Sequence, residues 1–166
     1  AWPHRSDLVA KVIEDDKPDV IGLQEALRSQ LDELSESLPQ YARIGVGREA
    51  EGGGEYSAIL YRPDRFDVSD AGTFWLSDEP ETPGSRTWGN ELCRICTWAR
   101  LLDRTNDRRF VIFNTHWDHK SQPARLESGK LMARRQREIC ADGEPALVTG
   151  DFNSDPDHPG IVALVK

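Results

Sequence analysis

Three short apolar runs, each closing on a polar cluster, constrain this chain more than any other feature. "DVIGLQE" ends at Gln24 and Glu25, "RRFVIFNTHWDH" at Asn114, His116, Asp118 and His119, and "PALVTGDFN" at Asp151 and Asn153. Runs of this length, rich in Val, Ile, Leu and Phe, read as buried strands. Acids, amides and imidazoles at three strand ends point to one site assembled from strand termini. In "TGDFN", alternation would turn Asp151 and Asn153 to the same face. An ordinary turn is the competing reading, because Asp, Asn, Gly and Ser are common turn residues.

Between these runs the chain alternates helical and extended signals. "SDLVAKVIEDD" predicts a helix with Leu8, Val9, Val12 and Ile13 on one stripe and Ser6 as N-cap, stopped by Pro18. Leu27, Leu31, Leu34 and Leu38 recur at helical spacing up to Pro39, which predicts a second helix with all four leucines in the core. "YARIGV" and "YSAILY" predict strands around a glycine-rich connection, Gly52-Gly53-Gly54, which lacks the lysine and helix of a P-loop. The irregular stretch "SDEPETPGSRTWGNE" is long enough to be functional, with Arg86 and Trp88 as candidates to meet a substrate. "RICTWARLL" and "RRFVIFNTHWDH" predict a hairpin across "DRTNDR". A helix from about Pro123 to Cys140 and another near Asp157, with Pro159 in its first turn, complete the pattern. The order favours mixed α and β layers in a single domain over residues 1–166.

Composition narrows the function. With 21 basic and 29 acidic residues the net charge is −8, so the chain is not suited to coating nucleic acid by charge alone. The basic segment Lys120, Arg125, Lys130, Arg134, Arg135 and Arg137 is either a solvated helix face or a substrate-facing rim. No apolar run reaches the roughly 20 residues of a membrane span, so a soluble chain is expected and its compartment stays open. Three cysteines make no disulfide framework, and Cys93 and Cys96 read as strand cysteines on opposite faces.

Glu25, Asp151 and Asn153 offer hard oxygen donors, which suit Mg²⁺ or Mn²⁺. His116, Asp118 and His119 offer a zinc-like set, but their spacing falls on a strand end and not on a helix, which disfavours zinc.

"DVIGLQEA", "GEYSAILYRPDRF", "RICTWARL", "FNTHWDHKSQPARLES" and "TGDFNSDP" resemble the endonuclease/exonuclease/phosphatase superfamily, over nearly the whole chain and in the family's order. "LQE" with "GDFN" is the specific pair. The resemblance is to bacterial members above all. It implies the deoxyribonuclease-I-like fold, a four-layer α/β sandwich of two packed β-sheets flanked by helices. It also implies metal-dependent hydrolysis of a phosphoester, in a nucleic acid or a small molecule. By it, Glu25 is the metal-binding glutamate, and Asp151 and Asn153 hold the attacking water and steady the phosphate. His116 is the acid for the leaving oxygen or a donor to the phosphate, and Glu55 is the acid that orients this histidine and raises its pKa. Arg94 is a phosphate contact or a surface pair. Asn114, Asp118 and His119 are substrate-side candidates, although Asp118 and His119 can equally shape the loop.

The resemblance is incomplete. Family members usually begin with a strand carrying a metal-binding asparagine and end with a loop bearing aspartate and histidine, and neither motif occurs here; His158 in "DPDHPG" is a poor substitute. The expectation is a partial domain, weakly active or inactive by itself. No obligate protein partner is evident. A noncatalytic binding domain on the same fold is the rival reading, opposed by the joint presence of Glu25, His116 and the Asp-x-Asn pair.

Overall fold

β-Branched and aromatic runs in this sequence form strands that pair into two sheets, as a computed structural model covering residues 2–165 shows. The first sheet holds β1 (Val20–Gly22), β2 (Ala42–Ile44) and β3 (Ile59–Tyr61) in the order β1-β3-β2, all antiparallel. The second holds β4 (Phe66–Trp75), β5 (Ile95–Asp103), β6 (Arg108–His116) and β7 (Ala146–Asp151) in that order, with β7 parallel to β6 and the other pairs antiparallel. Helices α1 (Ser6–Asp16) and α2 (Arg28–Ser37) flank the first sheet; α3 (Gln122–Ile139) and α4 (Pro159–Leu164) flank the second.

Side-chain alternation assigns each layer its core. Ile59 joins Phe66, Ala99, Leu101 and Ile112 between the sheets, while Leu60, one residue on, faces α1 and α2 with Ile13, Leu34 and Leu38. On β6, Val111 and Phe113 point to α3 and pack with Trp117, Leu131 and Met132, while Ile112 points between the sheets. The expected four-layer sandwich is the fold of this chain.

Several local expectations change. Ser6 is the first helical residue and Arg5 the N-cap, without a side-chain capping bond. Leu8 and Val12 are exposed, as is Leu27, which caps α2 through its N–H to the Gln30 Oε1 at 2.8 Å; the buried stripes are Ala10 and Ile13, and Leu31, Leu34 and Leu38. Cys93 lies ahead of β5, where its thiol donates to the Gly84 carbonyl, and not within a strand. Cys96 is buried on the α3 side, where burial pushes its thiol pKa up.

Gly22 shows how tightly the sheets meet. A Cβ there would stand 2.5 Å from Thr149 Oγ1 and 2.6 Å from Asn114 Oδ1. Only glycine lets β1 approach the β6–β7 pair this closely.

A candidate active-site cleft at the strand ends

The last rungs of both sheets set the cleft. In the second sheet, His116 and Asp151 close β6 and β7 as register partners. In the first, Tyr56 forms isolated bridges to Ala26 on one side and Gly47 on the other. Glu25, Arg48 and Glu55 are chain neighbours of those three residues, so one rung positions all of them. Gly47 is required at that rung, because a Cβ would meet the Gly53 carbonyl oxygen at 2.2 Å.

The resulting cleft, about 260 Å³, is lined by Glu25, Arg48, Glu55, Leu92, Arg94, His116, His119, Asp151 and Asn153. Glu25 and Asp151 approach His116 through different ring nitrogens: Glu25 Oε1 is 3.9 Å from Nδ1, and Asp151 Oδ2 is 3.8 Å from Nε2. Both carboxylates are largely exposed, at 68% and 54% of the side chain. Among the described residues neither has a lysine or arginine partner. Glu25 is held at φ 59°, a left-handed conformation uncommon for glutamate, which over-determined surroundings sustain at functional sites.

Asp151 and Asn153 come together through a turn, and β7 ends at Asp151. The Asn153 N–H donates to Asp151 Oδ1 at 2.9 Å, Asn153 sits at φ 47°, and its Nδ2 donates to the Trp117 carbonyl at 2.9 Å. The turn reading of "GDFN" is the local structure, and this Asx-type turn, not strand alternation, is what brings Asn153 to the cleft, because β7 ends at Asp151.

Burial lowers the His116 pKa, and the nearby Arg94 charge lowers it further; Asp151, Glu25 and Glu55 oppose this without prevailing. The expectation of a raised histidine pKa is thus reversed. Glu55 is also placed differently from expectation, because its Oε2 accepts from Arg48 Nη1 at 2.5 Å. It anchors an arginine and does not hydrogen-bond the imidazole.

Two further candidates leave the substrate side. Asn114 is fully buried between the sheets: its Oδ1 accepts from Gln24 Nε2 at 2.7 Å and Thr149 Oγ1 at 3.0 Å, and its Nδ2 donates to the Leu23 and Ala58 carbonyls. With every amide position taken, Asn114 has nothing left to offer a substrate. Asp118 is buried behind Arg94; its Oδ1 accepts from the Lys120 and Ser121 N–H groups at 2.9 and 2.6 Å, and its Oδ2 lies 3.7 Å from Arg94 Nε. Those backbone bonds and the Arg94 charge hold its carboxyl below the usual range, despite burial. It shapes the loop ahead of α3 and backs Arg94.

His119 does line the cleft, with Nδ1 3.0 Å from Arg94 Nη2. Arg94 is 4% exposed, which removes the surface-pair alternative. Arg86 bonds the Glu91 carbonyl in a neighbouring hollow, and Trp88 donates to Asp78 and packs toward the α3 core, so neither reaches this cleft. His158 caps α4 by accepting the Gly160 N–H. Arg48 and Leu92 are the lining residues that sequence reasoning missed. Arg48 stands in the loop between β2 and the glycine run, where a basic residue carries no signal of its own.

The donor chemistry fits a divalent cation. Two exposed carboxylates without cationic partners and a carboxamide oxygen share one cleft, a hard-oxygen set of the kind Mg²⁺ and Mn²⁺ take. Among the described residues no three His, Cys, Asp or Glu side chains already form a closed metal cage. No helix among the described residues is long and apolar enough to cross a membrane.

Comparison with known proteins places this arrangement. The sequence profile of the Endonuclease/Exonuclease/phosphatase family matches residues 1–166. A solved mannosyl-6-phosphatase of Bacteroides thetaiotaomicron VPI-5482 is 39% identical, with a TM-score of 0.94, over 99% of this chain and 62% of that one. A solved endonuclease/exonuclease/phosphatase family protein from Bacteroides thetaiotaomicron is also 39% identical, with a TM-score of 0.93, over 99% of this chain and 60% of that one. An uncharacterised protein of Acanthamoeba polyphaga mimivirus is 30% identical across 93% of this chain and 60% of its own length. The chain thus spans about 60% of the length of these relatives.

Proposed function

Because the chain belongs to the Endonuclease/Exonuclease/phosphatase family, we propose that it hydrolyses the phosphoester of a small molecule with the help of Mg²⁺ or Mn²⁺. The observation that carries this reading is the pair of unpartnered carboxylates, Glu25 and Asp151, flanking His116 in a cleft that also holds Arg94. Opposite charges separated within one small volume suit phosphoryl transfer, which needs charge neutralisation and alignment more than a covalent nucleophile.

Glu25, with help from Asn153, would hold the cation, which supplies neutralisation of the phosphoryl charge when bound. Asp151 orients a water and takes its proton as the water oxygen bonds to phosphorus. Arg94 binds the phosphoryl oxygens. The phosphorus–alkoxy bond breaks, and the departing oxygen takes a proton from solvent, to which Asp151 returns the one it accepted. His116, whose low pKa favours the neutral ring, acts as an N–H donor to a phosphoryl oxygen.

The small-molecule preference draws on the net charge of −8 and on the likeness to a mannosyl-6-phosphatase. A long nucleic acid would instead bind with steep salt dependence.

The test is hydrolysis of p-nitrophenyl phosphate and bis-p-nitrophenyl phosphate with Mg²⁺, Mn²⁺ or EDTA, by this chain and by Glu25→Ala. The expected result is turnover that requires metal and falls on the order of 100-fold or more in the variant. Turnover indifferent to EDTA, or unchanged in Glu25→Ala, would sink the proposal.

A further inference from the structure

We infer that Arg48, standing with Arg94 in the cleft, is a specificity-determining residue that selects a terminal, dianionic phosphate group over an internal, monoanionic phosphodiester. The inference rests on the phosphoesterase reading for its biological meaning, but its geometry is independent of turnover.

Arg48 and Arg94 line the same 260 Å³ cleft from different sheets: Arg48 follows β2, and Arg94 precedes β5. Both are withdrawn from solvent, with side chains 12% and 4% exposed. Bringing two guanidinium groups together out of water is unfavourable unless anions answer them. The carboxylates present answer only in part. Glu55 takes one nitrogen of Arg48, through Nη1, and leaves the rest of that fork uncommitted. Among the described residues Arg94 has no carboxylate oxygen closer than Asp118 Oδ2, which lies 3.7 Å from its Nε as a long ion pair on the side away from the cleft. Its Nη2 meets only the neutral-capable nitrogen of His119. Burial first, and then the Arg48 charge, lower the Arg94 pKa, and Asp118 and Glu55 offset this only in part. Two buried guanidiniums in one hollow, with terminal nitrogens that the nearby carboxylates do not saturate, suit an anion with several oxygens.

The charge of that anion follows from the count of guanidiniums. A phosphate monoester carries nearly two negative charges at neutral pH and three free oxygens, against one charge and two free oxygens in a diester. A second arginine adds more binding for the monoester, with its extra charge and third free oxygen, than for the diester. Backbone supports keep Arg48 in place for this: its N–H donates to the Glu55 carbonyl at 3.1 Å, and its own carbonyl accepts from Trp75 Nε1 at 2.6 Å.

The test measures binding and turnover in the same set of proteins. With Mg²⁺ present, inorganic phosphate and dimethyl phosphate are titrated calorimetrically into the wild-type chain, Arg48→Gln and Arg48→Lys, across pH 6 to 8.5. Wild type is expected to bind phosphate more tightly as the pH rises and the dianion forms. Arg48→Gln is expected to lose about 10- to 100-fold in phosphate affinity and to lose the pH trend, while dimethyl phosphate binding moves less than about threefold. Arg48→Lys keeps charge without the planar fork and is expected to fall between them. Should Arg48→Gln unfold through the stranded Glu55 carboxylate, the double variant Arg48→Gln/Glu55→Gln removes both partners and carries the same expectation. Equal losses for both probes, or no phosphate binding by wild type at 50 mM, overturns the inference. Arg48-dependent phosphate binding in a chain that hydrolyses no phosphoester even when extended to the length of its relatives would retain the anion clamp and refute the enzyme reading. Turnover with an unchanged monoester-to-diester ratio in Arg48→Gln would do the reverse.

Discussion

The two ends of the sheet pair treat charge in opposite ways. Away from the cleft, Arg65 in the β3–β4 turn gives Nη1 to Asp19 and Nη2 to Asp103, and Asp103 also accepts from the Thr105 N–H and hydroxyl at 2.9 and 2.6 Å. At the cleft Arg48 pairs with Glu55 through one nitrogen, but among the described residues Arg94 has no carboxylate closer than Asp118 at 3.7 Å, and Glu25 and Asp151 have no basic neighbour apart from His116. Both arginines have a buried Nε without an acceptor, so the contrast lies in what the terminal nitrogens and the acids do. One end consumes its hydrogen-bonding capacity internally and ties the sheets together. The other withholds it, which costs stability and leaves groups available for a cation and an anion.

Substitutions at each end should separate these roles, and the largest effect belongs to the cleft. Asp151→Asn is expected to lower turnover of a phosphomonoester by on the order of 100- to 1000-fold while leaving Tm nearly unchanged, since the side chain is exposed. Steady-state rates beside a thermal scan check this; a large fall in Tm with turnover kept would break the comparison. Asn114→Ala should cost about 3 kcal/mol of stability, because it strands Gln24, Thr149 and two carbonyls between the sheets. Urea denaturation reads that loss directly.

The Arg65 network adds a pH signature. The hydrogen bond from Arg65, then those from Thr105, hold the Asp103 carboxyl well below the ordinary carboxylate range. Its contribution is therefore full above the unfolded pKa of about 4 and is lost as pH falls from there toward the depressed folded value. Asp103→Asn should lower Tm at pH 7, and the gap to wild type should narrow in scans below pH 4. A gap independent of pH would remove the ion pair from the account. The smallest effect belongs to the exposed pair Lys11–Asp15 on α1, with side chains 68% and 62% exposed. Lys11→Ala should change stability by less than about 0.5 kcal/mol in the same urea experiment.

Strand identity, the β5–β6 hairpin and the placement of α3 were legible from apolar runs, turn residues and helical spacing, which are local in the chain. So was the convergence of Glu25, His116, Asp151 and Asn153, since each closes an apolar run. Exposure was less legible. Leu8, Val12 and Leu27 carry the same apolar signal as Ile13 and Leu31, but which leucine is covered depends on a neighbour distant in sequence.

The sequence by itself therefore determined the order of helical and extended segments and the inventory of chemical groups, because periodicity and residue type act over a few residues. Tertiary structure decided their partners. It gave Glu55 to Arg48 instead of His116, sealed Asn114 between the sheets, set Asp118 behind Arg94 and let burial win over nearby carboxylates at the His116 ring. Hydrogen bonds reach about 3 Å and desolvation depends on every surrounding atom, so such outcomes are fixed only when strands far apart in the chain meet.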